Sequence, residues 1–272
     1  MRIIIKMACV FSLSVFMLCQ FASVSMARSN ADKVLSARFI AEEQYLKQMP
    51  PIVESLYGPM AVPALKLLWT NSGPVFAMDA MLRAYGEVWA LEGPPSVNER
   101  SLATVSALVA QGLYPQIRLH INGFISSGGT LEGLYELVGT AADEAGSPLS
   151  SDLVDAVAEG LKWRERSIGG FKAPTREEVQ KFLRKGMKGV SQKTPARHRL
   201  ALLVKFSAQM AIGNMEKTRG FLRDLVQVLP PDINKDRYVD LLITHLIVYC
   251  GYPKGMNAFS SWQQIRPEFG MK

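Results

Sequence analysis

Residues 99–111 read ERSLATVSALVAQ, and residues 197–209 read RHRLALLVKFSAQ. Laid over one another they place Leu102 on Leu200 and Gln111 on Gln209, at an offset of 98 from Glu99 to Arg197. Both segments bring apolar residues back every three or four positions, the spacing of a helix with a buried face. Downstream, Gly146-Ser147-Pro148 matches Gly251-Tyr252-Pro253, at an offset of 105 from Gly146 to Gly251, so the second copy has extra residues around 227–233. We read a duplicated helical module. Chance likeness is the competing reading, because apolar helices imitate one another easily.

Helical periodicity extends over nearly the whole chain. Asn98 is placed to cap the run to Gln111, Gly112 stops it, and Pro115 opens the next, which carries Ile117, Ile121, Phe124 and Ile125. Thr175 to Glu178 forms a capping box, followed at helical spacing by Val179, Phe182, Leu183 and Met187. Further helices are expected over 31–48, 62–68, 75–89, 131–145, 200–211, 215–228, 235–250 and 254–264. Strand-like alternation is rare, which makes the fold class all-α, with antiparallel helices joined by short loops. The Gly-rich basic stretch Ser167 to Pro174 reads as a linker between modules at 28–166, including an N-terminal helical extension, and 167–272.

The first 27 residues have a different character. Arg2 and Lys6 precede an apolar run from Met7 to Phe21, and Ser25-Met26-Ala27 offers small residues for cleavage after Ala27, the layout of a signal peptide. An uncleaved membrane anchor is the alternative, since a run of about 18 apolar residues is borderline for spanning. Leu18 before Cys19 argues against a lipoprotein site. No later run is long and apolar enough to cross a bilayer, so a soluble periplasmic or secreted protein without stable membrane insertion is expected. Of the three cysteines, Cys9 and Cys19 lie in this leader, which leaves Cys250 alone and no intrachain disulfide.

The formal net charge is +7, and twelve Lys/Arg against three Glu crowd into 162–199. Such a belt can meet phosphate, lipid or an acidic partner, but a solvated surface is the commoner outcome. It lacks interleaved aromatics, zinc-finger spacing and RNA-binding signatures, so nucleic acid is not an expected partner.

Among chemically capable residues, His245 and Tyr249 stand four apart and share a helix face near its C-terminus. There the macrodipole favours a protonated imidazole, a competent acid near neutral pH. Gly251 and Pro253 by themselves account for the corner that follows. His120 lies in RLHINGF, Arg118 to Phe124, beside Ile117, Ile121 and Phe124, at the border of a buried face. For both histidines the bland reading is a core residue bonded to a backbone carbonyl. His198 sits in the basic ARHR and is expected in solvent. Three histidines so scattered give no metal site, and neither a G-x-S-x-G elbow nor a phosphate-cradling glycine loop is present.

Residues 99–130, ERSLATVSALVAQGLYPQIRLHINGFISSGGT, and residues 245–259, HLIVYCGYPKGMNAF, together resemble the carboxymuconolactone decarboxylase family, which includes the alkylhydroperoxidase D-like proteins. The first segment is similar to the family's central helix pair, the second to its closing His-x-x-x-Tyr-x-Gly-aromatic-Pro corner ending in Asn-Ala. Elsewhere the likeness is weak. The resemblance implies an all-α, duplicated alkylhydroperoxidase D-like bundle that assembles into homo-oligomers. Its peroxidase branch needs a CxxC pair before the histidine, and Leu113 and Gln116 stand there instead. The decarboxylase branch dispenses with it and matches Arg100-Ser101-Leu102 and Arg118 to Phe124.

Each module departs from the family pattern. In the first, Thr140 stands where His245 does, and Glu144 where Tyr249 does; in the second, MEKTRGF replaces RLHINGF. One composite site pooled from both modules, or a scaffold whose two sites have decayed, are the two readings this leaves. A working site would take a small carboxylate or lactone without cofactor or metal. His120 would be the acid and His245 its helper, while Arg100, Arg118, Tyr249 and Asn257 would bind substrate. The rival function is a non-catalytic periplasmic ligand-binding or scaffold protein on the same fold.

Overall fold

The computed structural model describes residues 30, 32–33, 41–147, 149–187 and 194–271. The expected leader, residues 31 and 34–40 of the helix expected over 31–48, and the belt residues Lys188 and Lys193 lie outside them. Among the described residues every regular element is helical. They group into two compact units, one of 41–49 with 65–84, the other of 50–64 with 85–271.

The smaller unit is built on α1 (Glu42–Leu46) and most of α3 (Ala61–Ser72) and of a helix that starts as α4 (Pro74–Asp79) and widens to a π-helix over Ala80–Trp89. Tyr45 leans on Trp69, with ring centroids 4.8 Å apart. Lys66 pairs with Glu42 at 3.9 Å.

The larger unit holds both quoted segments. It comprises α2 (Pro51–Tyr57), α5 (Val97–Ala110), α6 (Tyr114–Ser126), α7 (Leu131–Glu144), α8 (Ser151–Ser167) and α9 (Arg176–Gly186). Then come α10 (Pro195–Ile212), α11 (Met215–Gln227), α12 (Lys235–Cys250) and α13 (Tyr252–Ile265). Most expected helices appear. Two were not anticipated, α2 and α8. The α8 pattern was present, with Ser150 accepting from the Leu153 amide and Leu153, Val154, Val157 and Leu161 buried, but the glycine at 160 masked it. That glycine is required because a Cβ there would meet the Arg118 backbone at 3.0 Å.

The start of α5 differs from expectation. Ser96, not Asn98, is the cap, in a capping box with Glu99, while Asn98 donates to the Phe124 carbonyl at 3.1 Å. The stretch after Ser167 joins α8 to α9 inside this one unit, with α9 packed on α7 and α8. At that crossing glycines face backbone: a Cβ on Gly139 would lie 2.6 Å from the Met187 nitrogen, and one on Gly186 would run into the Tyr135 carbonyl.

Helices α5 and α10, which carry the two quoted segments, pack on each other more extensively than any other pair. Between them lie Leu102, Val105, Leu203 and Phe206, all buried in one continuous core. The glutamines at their ends make mirrored bonds. Gln111 Nε2 donates to the carbonyl of Tyr249 at 3.1 Å, and Gln209 Nε2 donates to the carbonyl of Glu144 at 2.7 Å. Each thereby satisfies a carbonyl at the end of the other half's third helix, a group the helix itself leaves unpaired.

The basic belt is partly paired within this unit. Arg199 reaches Glu99 at 3.3 Å, Arg197 reaches Glu136 at 3.5 Å, Arg176 bonds Asp155, and Arg164 lies 5.6 Å over the Phe171 ring. Contrary to expectation His198 is half-buried, with its Nδ1 enclosed and without a hydrogen bond.

Candidate functional site

The capping box that begins α5 fixes the direction of its first turn. Ser96 N–H donates to Glu99 Oε2 at 2.9 Å, and Tyr238 O–H to Glu99 Oε1 at 3.3 Å, so this carboxylate faces the second half. Arg100, the next residue, turns the other way. It is 5% exposed, and its Nη1 donates to the carbonyls of Val88 at 3.3 Å and Trp89 at 3.1 Å, the end of the π-helix. Its Nε has no hydrogen-bond partner, and no ion pair forms with it among the described residues. A buried guanidinium is normally balanced by a carboxylate; here two backbone carbonyls and the Trp89 ring, 5.9 Å away, hold it.

One turn on, Thr104 Oγ1 lies 2.8 Å from His245 Nε2, with the proton's side set by the imidazole tautomer. His245 is fully buried and stands edge-on to Trp89, centroids 4.5 Å apart. His120, from α6, lies parallel to the same indole, 6.1 Å away at 8°, and perpendicular to Tyr249 at 5.2 Å. Tyr249 completes the cluster. Its ring is 5.6 Å from that of His245, its hydroxyl accepts from Trp89 Nε1 at 2.7 Å, and it is the partly exposed member. Beside it, the hydroxyls of Tyr57, from α2, and Tyr85 are 3.2 Å apart.

His120, His245, Arg100 and Tyr249 therefore meet around Trp89. Arg118 and Asn257 do not join them. Arg118 is on the exposed side of α6, paired with Glu159 at 2.7 Å, and Asn257 faces solvent on α13. Four residues of the cluster had no sequence signal: Trp89, Thr104, Tyr57 and Tyr85. Trp89 and Tyr57 come from elements whose place depends on tertiary packing, and Thr104 reads only as one more helical residue.

The expectation of a charged histidine is overturned. Burial pushes His120 down to about 3, and drives His245 downward, helped by the Arg100 and His120 charges and slightly opposed by contact with the Arg100 backbone. The macrodipole contribution near a helix end is small beside desolvation of this kind. Both imidazoles are neutral at pH 7. Burial likewise raises the phenols of Tyr57, Tyr85 and Tyr249, for Tyr249 against the lowering effect of hydrogen bonds from Trp89 and Thr104. The cluster is thus uncharged apart from Arg100 and rich in hydrogen-bond donors. Among the described residues no group of three His, Cys, Asp or Glu could hold a metal ion.

Residues 77–159 match the sequence model of the carboxymuconolactone decarboxylase family. Over 79 residues the chain is 34% identical to the 4-carboxymuconolactone decarboxylase of Acinetobacter baylyi, covering 29% of this chain and 58% of that protein. Over this span the chain is similar to the carboxymuconolactone decarboxylase family, and it spans little more than half the length of that relative. The match holds Trp89, Arg100, Thr104 and His120 and ends before His245 and Tyr249.

Proposed function

We propose that the protein is a cofactor-independent decarboxylase of a lactone acid or related small carbonyl compound, with one composite site pooled from two duplicated modules. What supports this above all is the meeting of His120 and His245 from different halves on Trp89 and Tyr249, beside a buried Arg100 that no carboxylate neutralises. Arg100 would bind and orient an anionic substrate against the apolar indole, where loss of charge to carbon dioxide is favoured. As the bond to the carboxylate breaks, its electron pair moves into the adjoining carbonyl as an enolate, and carbon dioxide leaves. Tyr249 donates a hydrogen bond to the enolate. The proton that completes the product comes from a neutral imidazole, whose N–H gives its proton to carbon and is restored from solvent after product leaves.

The test is turnover of purified protein on a panel of lactone acids, followed by carbon dioxide release. His120→Ala should lower the rate about 10²-fold or more; an unchanged rate removes His120 from the mechanism. A non-catalytic ligand-binding or scaffold protein is the second reading, favoured by the neutral state of both imidazoles. Ligand-induced stabilisation without carbon dioxide release would select it.

Export to the periplasm or medium belongs to the same reading, supported by Arg2, Lys6 and the apolar run before Ala27; cell fractionation tests it. So does assembly into homo-oligomers, tested by light scattering.

A further inference from the structure

Two phenols have no role in the chemistry above. Tyr57 and Tyr85 are 1% and 7% exposed, and their hydroxyls lie 3.2 Å apart. Each phenol has one proton to donate. Their mutual bond uses one of the two, whichever residue donates, and no other hydrogen bond is made by either hydroxyl among the described residues. One buried O–H donor is therefore left without an acceptor, in a molecule where such groups are normally matched. The pair sits at the site. Tyr85 stands one helical turn before Trp89, around which the cluster is arranged, and Tyr57 bonds to it.

Tyr57 reaches this place because α2 packs on α6, the helix that carries His120. The two helices meet at Gly123, whose Cβ position is 3.5 Å from Leu56 Cδ2 and 3.8 Å from Tyr57 Cε1, ordinary contact distances. Tyr57 also lies outside residues 77–159, in the N-terminal extension, whereas Tyr85 lies inside the matched span.

We propose that the Tyr57–Tyr85 hydroxyl pair is a second polar anchor of the site, donating its unmatched proton to a carbonyl oxygen of the ligand, so that the site selects acids bearing a carbonyl over acids lacking one. This rests on the reading that Arg100 binds the ligand's carboxylate. The two phenols are specificity determinants, and a neutral donor suits a carbonyl better than a second carboxylate. In a reacting ligand the same oxygen receives the electron pair, where a fixed donor gains in strength.

Calorimetric titration with two probes separates the claims. Butyrolactone-γ-carboxylate has the ring carbonyl; tetrahydrofuran-carboxylate is the same ring acid without it. Wild type should prefer the lactone about fivefold, the worth of one neutral hydrogen bond. The double variant Tyr57→Phe/Tyr85→Phe, which removes both donors, should abolish most of that preference and leave affinity for the tetrahydrofuran acid unchanged, which also shows that the site is intact. Arg100→Gln should weaken both acids alike. No preference in wild type, or a preference kept in the double variant, overturns the pair's role. A preference that disappears in the double variant while Arg100→Gln binds both acids normally leaves the pair standing and removes the carboxylate anchor instead.

Discussion

The two ends of the larger unit, related by the sequence match, solve opposite problems. On α12 stand His245 and Tyr249; at the matching places on α7 stand Thr140 and Glu144. His120 on α6 corresponds to Lys217 on α11. Thr140 is satisfied at home, its Oγ1 donating to the Glu136 carbonyl at 2.8 Å. Glu144 accepts from Gln209 at 2.9 Å and pairs with Lys217 at 3.3 Å and Lys205 at 3.8 Å. At the histidine end, by contrast, no ion pair forms with the buried Arg100 among the described residues. One end is closed by its own ions, and the other keeps a cation without a counter-ion. Shared helical geometry therefore does not make a site; an uncompensated charge in a shielded place does.

Substitutions at matched positions can break this contrast. The largest effect should be at the histidines: His245→Ala should cut turnover about 10²- to 10⁴-fold, whereas Thr140→Ala at the matching place should leave it within about twofold, since it removes a bond made only to its own helix. Equal losses in a steady-state assay would abolish the distinction. Next in size is Arg100→Met, expected to weaken lactone-acid binding about tenfold or more by loss of a charge-assisted contact. Lys205→Met at the other end should leave the dissociation constant unchanged.

A pH series sharpens the same comparison. The unfolded chain binds a proton at each histidine near 6.5, while folded His120 resists until about 3. Stability from the neutral imidazoles is therefore complete above about 6.5 and is lost as pH falls toward 3. Chemical denaturation at pH 7 and pH 5 should show that loss, and His120→Gln should make it smaller. A variant with undiminished acid sensitivity would place the effect elsewhere.

The smallest effects test the mirrored bonds. Gln111→Leu should cost about 1 kcal/mol, and Gln209→Leu more, because it also removes the bond to the Glu144 carboxylate. Denaturation midpoints in the reverse order would argue against this account of the two ends.

Much of the scaffold was legible because its signals are local. Thr175 with Glu178, the Gly251 corner and the periodicity of 235–250 act within one helix or one turn, and the helices followed them. The site was half legible. His120, His245, Arg100 and Tyr249 were singled out by their chemistry and lie together, but Arg118 looked equally suitable and pairs with Glu159 on the outside. Spacing places a residue on a helix face without telling which face is enclosed. Trp89, around which the cluster is arranged, was one apolar residue among many. The charge of the histidines was misjudged for a related reason: helix position is visible in sequence, whereas the depth of burial that outweighs it is set by packing.

The glycine crossing of α7 and α9 limits how this protein can diverge. Backbone meets backbone at Gly139 and Gly186, so no larger residue can be admitted by repacking neighbouring side chains. In a saturation library selected for folded protein, these two codons should stay almost fixed while the solvent-facing side of α9 drifts freely. The seam between them would act as a hinge pin for sequence change, constraining inheritance at a place remote from any chemistry.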